Sequence, residues 1–447
     1  MFTLKEEPLA VTDRIEGLCR CAARWFAVFL TAALITLQPG LSLAESGEDQ
    51  QAIDSSQREG AFTSPDSVGN LLSSNREEKS AFYGLRPFEP WREWKEKVHQ
   101  NTGIQFNIDY NSLGFKASDS LGDDSAAGGV LRFYGKWLLT GGDTNDTGSL
   151  IFKVENRHAY GDLAPREYGF ELGYVGVMNC CYSDQGTRGS NLYWRQSFND
   201  QRVVTYAGFI DSTEFIDAYP LASPWTGFSN LVFATGSASI GGLPDGAMGA
   251  MAAVWVTDSV YVIGGITDAN VDQTDFFRGF DTFFNDFETI KNIDIHWTPK
   301  REDLFFNNTH ITFWQIDEAE EAGTDSGYGV AVSFTRAADN KFLPFIRGGW
   351  SKDGGSILEA SLSVGFGYQD QDVSGAGLLG IGLNWGRPNE DTFGVELDDQ
   401  YTAEVFYRWQ ILQDLELTPS IQLLVDPALN PDEDLITVVG LRARVVF

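Results

Sequence analysis

The feature of this 447-residue chain that most constrains its fold is a strict alternation of apolar and polar residues, sustained over ten or more residues in segment after segment. In an extended strand, successive side chains point to opposite faces. In YTAEVFYRWQI, Tyr401, Val405 and Trp409 share an apolar face, and Glu404 and Arg408 lie on the opposite one. A soluble β-sandwich rarely sustains this alternation for so long, whereas a transmembrane barrel requires it, with about 9–11 residues per crossing.

About sixteen such segments follow one another along residues 103–447, and an even number is typical of a single-chain bacterial barrel. Short connections such as NDQ and QDL alternate with long ones. The predicted fold class is therefore all-β, a transmembrane antiparallel barrel. The segments are 103–118, 128–140, 147–160, 190–199, 201–217, 246–258, 260–269, 290–299, 307–317, 327–338, 342–353, 358–369, 377–388, 399–411, 415–427 and 435–447.

The N-terminal residues 1–44 read as a secretory signal peptide. Basic residues, among them Arg20 and Arg24, precede the apolar run WFAVFLTAALITL, and the small residues Ser42 and Ala44 stand at the positions before a cleavage site. The alternative is a membrane anchor, but the apolar run is shorter than the roughly 20 residues that a spanning helix needs. The pattern predicts export and cleavage after Ala44, and an exported chain of this kind that spans a bilayer must do so as a closed barrel.

Two segments separate this leader from the first strand. Residues 45–87 are polar and rich in Ser, Glu and Gln, so they are expected to be disordered. In residues 88–102, Trp91, Trp94 and Val98 recur at spacings of three and four just after a proline, which predicts a short amphipathic helix.

Composition excludes several partners and cofactors. Sixty-three acidic against 32 basic residues give a formal net charge of -31, which excludes nucleic acid as a partner. Cys180 and Cys181 are adjacent, a spacing that matches no zinc or redox motif, and their oxidation state stays open. Asp268, Asp272 and Asp275 carry oxygen ligands that suit calcium, but their spacing favours a solvated acidic loop. No cofactor or metal is predicted.

Three stretches resemble the carbohydrate-selective porins of the bacterial outer membrane. They are PWREWKEKVHQNTGIQFNIDYN, LYWRQSFNDQRVVTYAGFIDSTEFID and LTPSIQLLVDPALNPDEDLITVVGLRARVVF, and the resemblance covers about residues 88–447. It implies a 16-stranded pore through which monosaccharides and other small hydrophilic solutes, including ions, diffuse passively. It also implies a long extracellular loop folded into the lumen, which by position is segment 218–245.

On this reading the polar strand faces line the lumen, and together they predict a wet channel of mixed charge. Each charged side chain either contacts solutes or is simply solvated or paired within the protein. In the inward loop, Trp225 and Phe228 either stack on a sugar or pin the loop to the barrel wall. The charged residues predicted to line the pore are Arg132, Lys136, Lys153, Glu155, Arg157, Arg195, Asp294, Arg347, Glu404, Arg408, Arg442 and Arg444.

The chain ends on Phe447, in step with Val445, Ala443 and Leu441 on the apolar face of the last strand. This ending resembles the signal by which outer-membrane barrels are recognised for assembly. The predicted partners are therefore small carbohydrate solutes, outer-membrane lipid and the barrel-assembly machinery.

Two other classes of barrel stay open. An outer-membrane lipase or protease needs a nucleophile with a histidine and an orienting partner. His296 stands near Asp294, but the sequence places no serine beside it, so no enzyme is predicted. A structural or adhesive barrel would have a blocked lumen, and solute flux separates it from a porin.

Overall fold

The computed structural model describes residues 63–77, 79, 81–141, 146–275, 277–338, 341–370 and 377–447. The predicted signal peptide, residues 1–44, lies outside this part of the chain. Among the residues described, no helix is long and apolar enough to cross a membrane.

Sixteen antiparallel strands form one closed barrel, which confirms the predicted fold class. Each strand pairs with its neighbours in sequence, and the first pairs with the last, with Asp109 opposite Val446. The sheet therefore has no open edge, as a structure in lipid requires. The strands are β1 Ile104–Ala117, β2 Ser125–Thr140, β3 Gly148–Ala159, β4 Gly186–Phe198, β5 Val203–Asp211, β6 Asp245–Trp255, β7 Val260–Asp268, β8 Thr289–Trp297, β9 Asn307–Ile316, β10 Gly327–Arg336, β11 Phe342–Asp353, β12 Leu358–Asp370, β13 Gly377–Pro388, β14 Gln400–Leu412, β15 Leu415–Val425 and β16 Leu435–Val446.

The alternation that predicts the barrel separates its two faces. On β14, Tyr401, Val405 and Trp409 point outward and are 41–46% exposed. Glu404 and Phe406 point inward and are each 1% exposed. Outward apolar side chains and inward polar ones are the arrangement that a bilayer selects.

The two ends of the barrel differ in their connections. At one end, here called the turn end, strands are joined by short segments such as 199–202, 256–259 and 413–414. At the other, the loop end, the connections include 160–185, 212–244 and 269–288. Long and short connections largely alternate along the chain, as the sequence predicts; the loop-end connection 354–357 is an exception, since it is shorter than the connections before and after it.

The connection 212–244, here called the inward loop, folds into the lumen and matches the predicted segment 218–245. It contains the helical turns Ser212–Glu214, Leu231–Phe233 and Thr235–Ala238. Its Phe228 ring lies 4.7 Å from Phe233, 5.7 Å from Phe345 of β11 and 5.0 Å from Phe406 of β14. These aromatic contacts hold the loop against the barrel wall.

In the described part of the chain, five α-helices accompany the strands: α1 Val68–Arg76, α2 Glu89–Thr102, α3 Tyr168–Glu171, α4 Arg278–Asp281 and α5 Glu390–Phe393. Helix α2 is the predicted amphipathic helix. It has a proline in its first turn and ends at Gly103, whose φ of 74° is left-handed and suits a helix C-terminus. Arg92 of α2 pairs with Asp414 at 3.1 Å, which places α2 at the turn end.

Helix α1 differs from the expectation for residues 45–87. Disorder is the wrong prediction for residues 63–77, which form α1 and the turn before it inside the barrel. Ser67 caps the helix by accepting a hydrogen bond from the main-chain N–H of Asn70. The segment is polar overall, but its few apolar side chains all meet the inner face of the barrel.

Candidate functional site

The charged residues predicted to line the pore lie on the inner face of the barrel, where the strand alternation places them. All except Arg408 are buried, with at most 9% of each side chain exposed, and Arg408 is half-buried. The sequence left open whether each charge contacts solutes or is solvated or paired within the protein. In the structure, most of them are engaged in ion pairs or hydrogen bonds with the wall and with the inward loop.

One cluster spans the junction of the first and last strands. Arg132 of β2 donates two hydrogen bonds to the carboxylate of Asp109 on β1, at 2.8 and 2.6 Å. Arg444 of β16 reaches the same carboxylate at 3.3 and 3.2 Å. Arg132 binds both carboxylate oxygens in a bidentate geometry, which fixes its guanidinium plane, whereas both Arg444 donors reach Oδ2. Asp109 was not among the predicted site residues, although its position on the polar face of β1 pointed to the lumen.

The same cluster extends toward the turn end. Arg444 also lies 3.4 Å from Glu416 of β15, and Lys79 pairs with the other oxygen of Glu416 at 2.9 Å. These contacts connect the chain that follows α1 to the barrel wall.

A second cluster holds the start of the inward loop. Lys153 of β3 donates to Asp211 at 2.8 Å and to Glu214 at 2.6 Å. Asn191 of β4 also donates to Glu214, at 2.9 Å. Lys153 thus joins three consecutive strands to the base of the loop.

The third cluster holds the end of the inward loop. Arg157 of β3 pairs with Glu155 at 2.6 Å and with Asp245 of β6 at 2.9 Å. Arg188 of β4 makes two hydrogen bonds to the same Asp245, at 2.9 and 2.8 Å. Arg188 and Asp245 were not predicted as site residues.

A fourth cluster lies deeper in the loop. The carboxylate of Asp217 accepts hydrogen bonds from Arg347 of β11 and, at 2.7 Å, from His310 of β9. The main-chain N–H of Asp217 donates to Asp294 of β8 at 2.8 Å. The Arg347 guanidinium also lies 3.7 Å from the centroid of the Tyr219 ring, a cation–π contact.

Charged groups on β14 and β16 bind the main chain of the inward loop. Glu404 accepts from the N–H groups of Ser229 and Asn230 at 2.7 and 3.0 Å. Arg442 donates to the carbonyls of Pro224 and Gly227 at 2.7 and 2.8 Å. Arg408 donates to the carbonyl of Thr226 at 3.3 Å. These three residues position the loop.

The two aromatic residues predicted in the loop are both packed. Trp225 is 4% exposed, and the Arg132 guanidinium lies 4.1 Å from the centroid of its ring. Phe228 is 1% exposed within the aromatic contacts described above. Of the two alternatives, pinning the loop to the wall is the role that these contacts support.

Lys136 and Arg195 lie toward the turn end. Lys136 of β2 stands opposite Gln105 of β1, and Arg195 of β4 donates to the Thr147 hydroxyl at 3.3 Å.

The hydrogen-bond partners of the lumen histidines His296 and His310 are an amide and a carboxylate, rather than the serine that a catalytic triad requires. Within the described ranges, His296 is hydrogen-bonded to Asn308 at 3.2 Å, and His310 is hydrogen-bonded to Asp217. Their rings lie 4.4 Å apart. In the same part of the chain, no group of three or more His, Cys, Asp or Glu side chains is placed to hold a metal ion.

Five arginines among the described residues keep a buried N–H without a hydrogen-bond acceptor in the protein. Three of them contact the inward loop: Arg132, Arg347 and Arg442, whose unpaired groups are Nη1, Nε and Nε. A buried donor without an acceptor costs free energy, which marks these three groups as candidate contacts for an acceptor atom.

Comparison with known proteins gives a family and a fold. A family model described as "Carbohydrate-selective porin, OprB family" matches residues 144–447. No curated protein matches the sequence. Among solved structures, the high-pH structure of Pseudomonas putida OprB is 13% identical and has a TM-score of 0.63, covering 80% of this chain and 97% of its own. A triple mutant of the Rhodopseudomonas blastica porin is 13% identical and has a TM-score of 0.48, covering 77% and 100%.

Proposed function

Because this chain belongs to the carbohydrate-selective porin family OprB and is an outer-membrane channel for carbohydrate diffusion, we propose that its solutes are monosaccharides and other small hydrophilic molecules. Passage is passive, since solutes move along the inner face of the barrel past the inward loop. Membership of a family of channel proteins is consistent with the sequence prediction that the chain is not an enzyme.

The observation that carries the proposal is the set of arginines around the inward loop. Arg132, Arg347 and Arg442 come from three strands, and each keeps an N–H group free for an acceptor within the described residues. Sugars are neutral polyols whose hydroxyls accept such bonds, and charge-assisted hydrogen bonds are the strong ones.

The packing of the lumen supports a small solute. The inward loop fills the centre of the barrel closely enough that Trp225 and Phe228 are nearly inaccessible to solvent. A path beside such a loop suits a monosaccharide better than a long oligosaccharide.

The setting of the pore follows from the barrel. We place the turn end in the periplasm and the loop end outside the cell, after removal of residues 1–44 as a signal peptide. The outward apolar side chains contact outer-membrane lipid, and Phe447 at the turn end is presented to the barrel-assembly machinery.

Liposome swelling tests the solute class. Purified full-length protein in vesicles should admit glucose-sized sugars faster than disaccharides and should exclude tetrasaccharides. Equal rates for all sizes, or no entry of any sugar, would contradict the proposal.

A pair of variants tests the arginines. Arg442→Met removes one donor, and one hydrogen bond is worth a factor of roughly two to ten in binding. The rate for glucose relative to glycerol should fall by that factor. Arg387→Met is the matched control, because Arg387 is about half exposed and pairs with Asp399 outside the lumen. An unchanged ratio in Arg442→Met would exclude this arginine as a solute contact.

A further inference from the structure

Residues 63–77, here called the lumen segment, occupy the space through which solutes must pass. We propose that this segment is a plug within the channel, which restricts flux and lowers the size of solute admitted until it leaves its site. The inference rests on the proposed function and adds a regulating element to it.

The apolar side of α1 is docked on the barrel wall. Val68, Leu71 and Leu72 are 0%, 4% and 5% exposed. They belong to one cluster with lumen-facing side chains of β2 to β7, among them Tyr134 and Tyr206. Burial of each such side chain is worth at least a factor of about ten in the docking equilibrium. The docked position is therefore strongly favoured.

Polar contacts fix the segment to the inward loop and to the wall at once. The N–H of Ser64 donates to the carbonyl of Glu214, and the Ser223 hydroxyl donates to the carboxylate of Asp66, both at 2.6 Å. Asn75 donates to the Tyr134 hydroxyl at 2.8 Å. The segment thus bridges the gap between loop and wall, which is the gap left for solutes.

The lumen segment also engages the cations that a sugar would meet. Asn75 offers its side-chain oxygen to Arg444 at 3.4 Å. The Asp66 carboxylate lies within the electrostatic reach of Arg132, Lys153 and Arg444. Amide and carboxylate oxygens accept the same hydrogen bonds as sugar hydroxyls. The plug therefore competes with a solute both for space in the lumen and for the hydrogen-bond donors that line it.

The lumen segment is held in the barrel by non-covalent contacts alone. The residues that follow it in the chain are anchored at the turn end and act as a tether. After α1 the chain runs along the turn between β14 and β15, where Lys79 pairs with Glu416 and the N–H of Phe82 donates to the carbonyl of Gln410. Undocking α1 breaks contacts inside the lumen and leaves this tether in place. Departure of the plug is thus a local event that spares the barrel.

The first test weakens docking. In the full-length protein, the triple variant Val68→Ser, Leu71→Ser, Leu72→Ser removes the apolar contacts, and Ser73→Ala on the half-buried side of α1 is the matched control. In single-channel recordings in planar bilayers, the fraction of time that the channel is open should rise by at least roughly tenfold in the triple variant, because each apolar contact favours docking by at least that factor. The control should behave as wild type. Heat-modifiable migration on gels confirms that each barrel is folded.

The second test holds the plug in place. Asp66→Cys with Ser223→Cys, in a chain with Cys180→Ser and Cys181→Ser, is bridged by a short bifunctional thiosulfonate reagent and released by dithiothreitol. Conductance should fall on bridging and recover on reduction.

The outcomes separate the plug from the solute class. Equal conductance of wild type and triple variant, or full conductance of the bridged protein, would overturn the plug and leave the sugar proposal intact. A triple variant that opens to ions but excludes every sugar would uphold the plug and refute the proposed function. Closed channels in both proteins would refute both.

Discussion

Removal of the Asp109 charge should destabilise the barrel more than any single change on its surface. Asp109 is fully buried and accepts hydrogen bonds from Arg132 and Arg444, which approach it from opposite neighbouring strands. Asp109→Asn keeps the size and one acceptor oxygen but leaves two guanidinium groups beside a neutral amide. The perturbation therefore acts on electrostatics with little change in packing.

The magnitude follows from the geometry. Removing one partner of a buried ion pair costs roughly 3–5 kcal/mol, because the remaining charge is left uncompensated. Arg444 retains Glu416 at 3.4 Å, so most of the loss falls on Arg132. The lower end of the range, about 3 kcal/mol, is therefore expected for Asp109→Asn. Asp119→Asn on an exposed turn of the loop end is the control, with a change within about 0.5 kcal/mol.

Urea unfolding in lipid vesicles, followed by tryptophan fluorescence, measures the difference, since the chain contains 12 tryptophans. A double-mutant cycle with Arg132→Met isolates the pair: the two changes together should cost less than their sum. If Asp109→Asn matched the Asp119→Asn control, or if the two changes were additive, the uncompensated charge would not be the cause.

Three further outcomes are expected. Deletion of Phe447 should reduce folded, inserted protein while export continues, because its N–H bonds the Ile108 carbonyl at 2.8 Å and its ring lies 5.0 Å from Phe88; normal insertion on heat-modifiability gels would contradict this. Trp225→Ala should admit larger sugars in swelling assays, because the loop loses its stacking on Arg132, and an unchanged size limit would exclude this role. The hydrogen bond that the Cys181 thiol makes with Cys180, together with burial, raises the pKa of Cys181 well above its ordinary value. Alkylation by iodoacetamide at about pH 8 should therefore be slow and should accelerate only at more alkaline pH; rapid labelling at neutral pH would show a thiolate there.

The strand alternation is sufficient to predict the barrel, its strand count and the residues facing the lumen. On β16, the inward Arg442 and Arg444 and the outward Leu441 lie as the period of two requires. These features depend on local pattern, which a single sequence carries. The inward loop lies where the resemblance to the porin family, together with its position in the chain, implies it.

The ion-pair partners of the lumen charges cannot be predicted from the strand alternation. Lys153 pairs with acids at the end of β5 and in the following turn, and Arg347 pairs with Asp217 of the inward loop. No periodicity relates these positions, because the loop path sets them. The lumen segment was missed for a similar reason: VGNLLSSNR has only three large apolar residues, and the surface that buries them comes from strands distant in sequence.

The pairing of β1 with β16 has a consequence for how the chain folds. Asp109 and Val446 are paired although they lie near opposite ends of the barrel sequence. Closure of the barrel therefore joins the two strands most distant in sequence, and this step has the largest loss of chain entropy. Until that contact forms, two rows of main-chain N–H and C=O groups lack partners, and lipid offers them none. A chain that lacks β16 therefore has no partly closed state in which all its main-chain groups are paired. Loss of the final strand is expected to abolish assembly rather than to slow it by degrees.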